Sequence, residues 1–268
     1  MPSAKIGDAT IHYREAGSGN RVFLLLHAFP LHSGMWEPLL PVLAKEGWCV
    51  IAPDARGFGK NGPGPDVLGM DVIAGDAAAL LDSLGVKRAV IGGLSMGGYA
   101  AFELWRRRKD LVRALVLADT KAAADTAEGA AGRETFAKNA VANGIAWVAA
   151  ELAPKLQRPE RLASADLAIR TMIAEAAPAA VAAGARGLAK RVDSTPSLAT
   201  IDVPVRIVVG AADALTPPAE AKTMNDGIRG STLVEIPKAG HISNLEDPIA
   251  FADALVPWLA SLPAASSP

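Results

Sequence analysis

The stretch over residues 89–99, with the sequence AVIGGLSMGGY, constrains the fold of this chain more than any other. Its first residues are apolar, and with the preceding Val86 they predict a buried strand. Glycine pairs stand on both sides of Leu94, Ser95 and Met96, and the sequence then becomes apolar and helical. This order predicts a strand, a tight turn and the start of a helix.

The turn fits the pattern Gly-x-Ser-x-Gly at Gly93, Ser95 and Gly97. In a nucleophile elbow, the serine occupies a strained corner between a strand and a helix, with its hydroxyl group above the sheet. Side chains at positions 93 and 97 would collide with the neighbouring strand and helix, which explains glycine there. A structural glycine-rich turn is the alternative for so short a motif, and the flanking strand and helix favour the elbow.

Apolar strands alternate with amphipathic helices over most of the remaining chain. The first strand, at residues 10–16, is expected to form a hairpin with Val22–Leu26 through a glycine-rich turn. Further strands are predicted at 48–52, 112–118, 205–209 and 232–236, and helices at 33–45 (capped by Ser33), 71–84, 95–109, 217–228 and 248–262. Strands that are apolar throughout indicate a parallel sheet that is covered on both faces.

Residues 121–193 interrupt this alternation. The segment is rich in alanine, contains no convincing strand, and is broken by Pro154, Pro159 and Pro178. Helical patterns occur at 145–156 and 167–174. We therefore predict an α/β fold whose core domain comprises residues 1–120 and 194–268, with residues 121–193 inserted as a helical cap. The last residues, 263–268, are expected to fray.

Composition narrows the class of partner. The 268 residues include 27 Lys and Arg against 28 Asp and Glu, a formal net charge of −1. This balance offers no field that would attract nucleic acid or an anionic membrane, so a small molecule is the expected partner.

The single cysteine, Cys49, excludes an internal disulfide and a cysteine-rich zinc site. Without a signal-like or membrane-spanning apolar run, the chain is expected to be cytoplasmic. Its oligomeric state stays open.

If Ser95 is a nucleophile, it needs a base. In sheets with this elbow the order along the chain is serine, acid, histidine, and His241 is the only one of four histidines that follows Ser95. It lies in a loop after the last predicted strand. The acid that orients the imidazole is expected to be Asp213, which follows the strand at 205–209. A helix cap is the alternative role for Asp213, and Asp119, which also ends a strand, is its rival as the acid.

A negative oxygen that forms on a carbonyl carbon attacked by Ser95 needs two backbone donors. The amide of Met96, at the start of the helix, is one candidate. The other is expected in the loop after Val22–Leu26, where Phe29 is the best candidate. An ordinary strand-to-helix turn is the alternative explanation for this loop.

Taken together, these motifs resemble those of the α/β-hydrolases. The matching residues are His27 to Pro30, the Pro53-Asp54-x-Arg56-Gly57-x-Gly59 loop, the elbow, Asp213, and Gly240-His241 with Glu246-x-Pro248 downstream. The chain is similar to the small esterases, enol-lactonases and cofactor-free perhydrolases of that superfamily. Ala28 stands where the family generally has glycine, which predicts a loop without positive φ at this position and a narrower acyl site.

Together, the resemblance and the residues predict that the protein is a serine hydrolase. It is expected to cleave carboxylic esters or lactones through an acyl-enzyme, without a cofactor or a metal. Ala28, Pro30 and Trp147 are predicted to contact the substrate. The cap supplies further apolar candidates for a pocket of small to medium acyl groups, each of which could equally belong to the core of the cap: Phe136, Leu152, Leu156, Met172 and Ile173. The alternative functions are perhydrolysis, carbon–carbon bond hydrolysis, and ligand binding without catalysis.

Overall fold

The computed structural model describes residues 1–263. Of the tail that was expected to fray, it describes only Pro263, whose carbonyl oxygen accepts a hydrogen bond from Arg113. Residues 264–268 lie outside the described residues, so the expectation for them is not addressed.

Eight strands have these bounds: β1 Ser3–Ile6, β2 Ala9–Ala16, β3 Val22–Leu26, β4 Cys49–Pro53, β5 Ala89–Leu94, β6 Val112–Ala118, β7 Val205–Gly210 and β8 Thr232–Ile236. They form one sheet in the order β1-β2-β4-β3-β5-β6-β7-β8. The pairs β1–β2 and β2–β4 are antiparallel, and all other neighbours are parallel. This is the mostly parallel sheet that the sequence predicts.

Within the described residues, nine α-helices have these bounds: α1 Leu40–Lys45, α2 Met70–Ser83, α3 Met96–Arg107, α4 Ala127–Leu152, α5 Ala163–Ala174, α6 Pro178–Ala189, α7 Pro218–Gly227, α8 Ser243–Glu246 and α9 Pro248–Ser261. Short 3-10 helices occur at Ser33–Trp36, Lys109–Leu111 and Thr195–Thr200. Every residue of β3 and β5 is buried, because helices cover both faces of the central strands.

The predicted hairpin between the strand at 10–16 and β3 is wrong. The strand β2 instead forms a hairpin with β1 around Gly7 and then pairs with β4, which separates it from β3. The predicted helix at 33–45 is also wrong in part, since it is divided into a 3-10 turn and α1. Pro38 and Pro41 lie in this segment, and proline cannot donate the backbone hydrogen bond of a continuous helix. The cap of the 3-10 turn is His32, not Ser33.

Between β6 and β7 the chain forms the helices α4, α5 and α6. The predicted helical patterns coincide with the second half of α4 and with α5. Helix α4 extends further toward the N-terminus than its pattern indicates and bends at Gly144, which has φ 80°. Pro178 does not break a helix; it is the first residue of α6, where a proline leaves no hydrogen bond unmade.

Over residues 1–263, no single helix combines the length and apolar character that a membrane span requires. The pair α5 and α6 reaches that length and composition only when taken together, with a bend of 102° between them.

Candidate active site

Ser95 occupies the corner between β5 and α3. Its backbone has φ 53° and ψ −112°, so it lies in the left-handed region that residues other than glycine rarely adopt. Its amide donates to the carbonyl oxygen of Ala118 on β6 at 3.0 Å, and this bond holds the corner against the sheet. A methyl group at position 93 would overlap the carbonyl of Gly97, and one at position 97 would overlap the carbonyl of Leu26. The close approach therefore requires both glycines, as the motif predicts.

His241 lies in the loop after β8, with its ring directed at the serine. Its Nε2 lies 2.8 Å from the Oγ of Ser95, a hydrogen-bond distance between atoms that are 146 residues apart in the chain. The ring is almost fully buried, at 3% exposure, whereas Ser95 is partly exposed. A hydroxyl that is accessible and bound to a buried imidazole can lose its proton to that imidazole.

Asp213 lies in the loop after β7, on the far side of the imidazole. Its Oδ2 is 2.9 Å from the Nδ1 of His241 and accepts a hydrogen bond of 2.6 Å from the hydroxyl of Thr216. Its Oδ1 accepts from the amides of Leu215 and Thr216. Burial alone would raise the pKa of Asp213, but the charge and hydrogen bond of His241 and the bonds from Thr216 outweigh burial, so the pKa is lowered.

Asp119, the alternative acid, is held elsewhere. Its Oδ1 accepts from the amide of Gly210 at 2.8 Å, and its Oδ2 accepts from the hydroxyl of Ser243 and, at 3.4 Å, from the amide of Ser243. It is fully buried, and burial, followed by the negative charge of Asp213, raises its pKa well above the usual range. In this arrangement the carboxyl group of Asp119 faces backbone and hydroxyl donors, whereas Asp213 faces the imidazole.

The end of β6 connects the three loops that carry Ser95, Asp213 and His241. Asp119 binds Gly210, at the end of the strand before Asp213, and Ser243, two residues after His241. The next residue, Thr120, donates its hydroxyl hydrogen to the carbonyl oxygen of Ser95 at 2.9 Å. The sequence indicated Asp119 only as a candidate acid and not as the residue that connects these loops. Its only local signal is the polar pair that follows an apolar strand.

The loop after β3 runs beside the elbow, because Leu26 and Gly93 are register partners in the sheet. Met96 is the first residue of α3, and amides in the first turn of a helix have no partner within that helix. Within the neighbouring loop, His27 accepts from the amide of Ala55 and donates to the carbonyl of Ala28, both at 2.9 Å. Burial lowers the pKa of His27, so it is neutral and serves to hold the loop that carries Phe29.

Aromatic rings extend from this loop to α4. The ring of Phe29 lies 6.4 Å from that of Phe136, which in turn lies 5.4 Å from Trp147. Of the other residues predicted to contact substrate, Ala28 has no exposed surface and Pro30 is buried. The predicted absence of positive φ at Ala28 is confirmed, since among residues 1–263 only Ser95 and Asp119 have positive φ without being glycine. Leu156, Met172 and Ile173 are buried, whereas Leu152 is partly buried.

Glu246 secures the histidine loop. It is 3% exposed, and its two carboxylate oxygens accept from the amides of Gly240 at 2.6 Å and Arg158 at 2.8 Å. The amide of Ile242 also donates to the carbonyl of Leu156 at 3.1 Å. Glu246 thus links Gly240 to Arg158, and the bond of Ile242 links the other neighbour of His241 to Leu156. Arg158 and Leu156 both lie in the connection between α4 and α5. The sequence showed Glu246 only as part of a motif, because the partner Arg158 is remote in the chain.

These atoms can move a proton from a hydroxyl to an imidazole and stabilise the positive charge that results. That is the first step of nucleophilic catalysis by serine. A sequence profile of the alpha/beta hydrolase fold matches residues 21–248. The chain belongs to the alpha/beta hydrolase fold family. This assignment confirms the predicted fold class and resemblance.

Three known members of this family are similar to nearly the whole hydrolase. A structure of a thermophilic esterase from Thermogutta terrifontis, with malate bound, is 37% identical, has a TM-score of 0.92, and is matched over 97% of this chain and 96% of its own. The 3-oxoadipate enol-lactonase 2 of Acinetobacter baylyi is 26% identical over 92% of both chains. The pimeloyl-(acyl-carrier protein) methyl ester esterase of Neisseria meningitidis is 31% identical over 85% of this chain and 89% of its own.

Proposed function

We propose that this hydrolase cleaves carboxylic esters or lactones of small to medium acyl groups through an acyl-enzyme on Ser95. The observation that carries the proposal is the continuous chain of hydrogen-bond distances, 2.8 Å from Ser95 to His241 and 2.9 Å from His241 to Asp213. The esterases and the enol-lactonase among its relatives support this substrate class.

In the proposed reaction, Nε2 of His241 accepts the proton of Ser95 while Oγ bonds to the carbonyl carbon of the substrate. The lowered pKa of Asp213 favours its ionised form, and this carboxylate stabilises the imidazolium. The bond from the carbonyl carbon to the alcohol oxygen then breaks, and His241 returns the proton to that oxygen. A water molecule then loses a proton to the same imidazole while its oxygen bonds to the acyl carbon. The bond from that carbon to Oγ of Ser95 breaks, His241 returns the proton to Oγ, and the acid leaves.

The negative oxygen of the tetrahedral intermediate would be stabilised by the amides of Met96 and Phe29. The position of Met96 at the start of α3 supports the first assignment, because this end of a helix dipole favours negative charge. The second is supported by the position of the loop 27–30 beside the elbow. Such donors act without reorganisation at the moment of reaction, and each typically contributes on the order of a hundredfold in rate.

We also propose that residues 121–193 act as a cap over Ser95 and that 1–120 and 194–268 form the catalytic core. Two contacts support this division: the edge-to-face contact between Phe136 and Phe29, and the backbone bond from Ile242 to Leu156. Each joins α4, or the residues that follow it, to a loop beside Ser95. The half-buried rings of Phe136 and Trp147 would line the acyl site, and Pro30 and the small side chain of Ala28 would shape the loop beneath them.

The test is removal of the nucleophile. Ser95→Ala should lower the turnover of p-nitrophenyl acetate by at least about a thousandfold, because the attacking atom is gone and only binding and the oxyanion donors remain. The melting temperature should be unchanged or raised, since the strained corner keeps its glycines. A fluorophosphonate should label Ser95 in the wild-type protein. If the variant keeps its turnover, or the label maps to another residue, the proposed mechanism is wrong.

A further inference from the structure

A buried network of three charged side chains lies where the proposed cap meets the core. Asp125 precedes α4, Arg133 lies within α4, and Arg191 follows α6. Nη2 of Arg191 lies 2.8 Å from one carboxylate oxygen of Asp125, and Nε of Arg133 donates to the other. The side chains of Asp125 and Arg191 are 8% and 2% exposed, whereas that of Arg133 is 30% exposed.

The network carries one positive charge in excess. Burial by itself would raise the pKa of Asp125, but the hydrogen bonds and charges of Arg191 and Arg133 lower it to about 2. Asp125 is therefore ionised near neutral pH and balances only one of the two guanidinium groups. Asp125 and Arg191 are removed from water, whereas Arg133 is 30% exposed, so the excess charge lies on the accessible side of the network, where it can attract an anion.

The two arginines differ in how many hydrogen bonds their side chains make within the protein. Arg191 also donates to the carbonyl oxygens of Leu188 and Ala123, and its guanidinium lies 4.5 Å from the centre of the Tyr99 ring. Within residues 1–263, the one side-chain hydrogen bond that Arg133 makes is its Nε bond to Asp125. Both terminal nitrogens of Arg133, a planar pair suited to a carboxylate, thus have no partner in that part of the chain.

Tyr99 places this network next to the catalytic residues. It lies one helical turn after the elbow, and its amide donates to the carbonyl of Ser95 at 3.2 Å. Burial raises the pKa of the Tyr99 hydroxyl group, and the nearby positive charges of Arg191 and Arg133 lower it. On α4, Arg133 is three residues before Phe136, and residues with this spacing share a face of a helix. The ring of Phe136 itself meets that of Phe29 edge to face beside the elbow.

We infer that Arg133, together with the hydroxyl of Tyr99, binds an ionised carboxylate on the substrate while Ser95 attacks the ester or lactone bond. The inference rests on the proposed function and extends it to a substrate class, short esters and lactones that carry an ionised carboxylate on either the acid or the alcohol half. Arg191 and Asp125 hold Arg133 in place and are positioning residues.

The first experiment compares, for each of two acids, an anionic ester with a neutral ester of the same acid. The anionic substrates are monomethyl glutarate and monomethyl adipate, and the neutral ones are the corresponding dimethyl esters, with release of acid followed by titration. The wild-type protein should prefer the monoesters in kcat/KM. Arg133→Met should reduce kcat/KM for the monoesters about ten- to a hundredfold, the usual worth of a charge-assisted pair, and leave the diesters within about twofold. A second arm uses acetyl lactate, which carries its carboxylate on the alcohol half.

Two further variants separate the carboxylate site from general damage to the cap. Arg186→Met is the matched control, because Arg186 lies on α6 and pairs with Glu134, the residue next to Arg133. It should leave the preference for the anion unchanged. Tyr99→Phe removes only a hydroxyl group and should lower kcat/KM for the anionic esters a few-fold. Melting temperatures show whether each variant is folded, and if Arg133→Met is not, Tyr99→Phe alone decides.

Direct binding distinguishes this inference from the proposed function. Glutarate binding, measured by calorimetry on wild-type and Arg133→Met proteins, should weaken at least about tenfold in the variant. Hydrolysis of the neutral diesters without any preference for the anion on either half, and without glutarate binding, would overturn the inference and leave the proposed function standing. Glutarate binding that depends on Arg133, in a protein that hydrolyses none of the esters, would support the site and contradict the proposed function.

Discussion

Strands β6 and β7 are neighbours, and each is followed by a buried aspartate, yet the two carboxyl groups have pKa values shifted in opposite directions. Asp119 follows β6 and has a pKa well above the usual value near 3.8, and Asp213 follows β7 and has a lowered one. Both are almost inaccessible, at 0% and 3% exposure. Burial raises the pKa of both, so it does not by itself explain shifts in opposite directions.

The difference comes from the partners. Asp213 receives four hydrogen-bond donors, and one of them, His241, can carry a positive charge. The donors to Asp119 are the neutral groups of Gly210 and Ser243, and the charge of Asp213 further disfavours its ionisation. Both carboxyl groups are buried, but their contacts favour different forms: the ionised form of Asp213 beside the imidazole, and the neutral form of Asp119 between the two loops.

The largest expected effect tests which of the two acts as the acid. Asp213→Asn should lower kcat/KM for p-nitrophenyl acetate by about 10³- to 10⁴-fold, because the amide cannot stabilise the imidazolium and favours the wrong tautomer. Asp119→Asn is the matched control and should stay within about tenfold of wild type, since the amide resembles the neutral carboxyl group. If Asp119→Asn is the inactive variant, the roles are reversed.

The next effect concerns stability. Asp119→Ala should lower the free energy of unfolding by about 3 kcal/mol, because it leaves the amide of Gly210 and the hydroxyl of Ser243 buried without an acceptor. Urea denaturation at neutral pH measures this loss. Asp119→Asn keeps an acceptor for Gly210, and its NH2 group can donate to the hydroxyl oxygen of Ser243 once that hydroxyl turns, so it should lose markedly less. Equal losses in the two variants would show that hydrogen bonding by residue 119 does not hold the loops.

The same pair predicts opposite dependences of stability on pH. The raised pKa of Asp119 means that its contribution to stability is complete below the usual value near 3.8 and is lost as the pH rises through the folded-state pKa. Relative to wild type, Asp119→Asn should therefore gain stability as the pH rises. For Asp213, with a lowered pKa, the contribution is present above 3.8 and lost as the pH falls. Melting temperatures of both Asn variants over a pH series measure the two slopes, and slopes of one sign would contradict the comparison.

Sequence was sufficient for features that depend on local pattern and order. The elbow follows from the glycines at 93 and 97, and His241 follows from being the only histidine after Ser95. The pairing of β2 with β4 was missed, because nothing in residues 10–16 encodes a neighbour some forty residues away. Two helical segments were not predicted, the first half of α4 and the whole of α6, because alanine-rich segments have little periodicity to detect. The bonds of Asp119 and Glu246 join loops remote in sequence, so no local pattern could reveal them.

The smallest effect is expected for Thr216→Val, a substitution that makes the surroundings of Asp213 more like those of Asp119. Thr216 donates its hydroxyl hydrogen to Oδ2 of Asp213 at 2.6 Å and lies 3.3 Å from Nδ1 of His241. Thr216→Val removes one of the donors that lower the pKa of Asp213, and should reduce kcat about three- to tenfold, as expected for one hydrogen bond to a charged group. KM should not change, because Thr216 contacts Asp213.

Thr216→Ser should restore kcat, whereas an equal fall in both variants would assign the effect to packing of the methyl group. Unchanged kcat in Thr216→Val would mean that His241 and the two amides alone keep Asp213 ionised, so that the contrast with Asp119 depends on the imidazole and not on the number of donors.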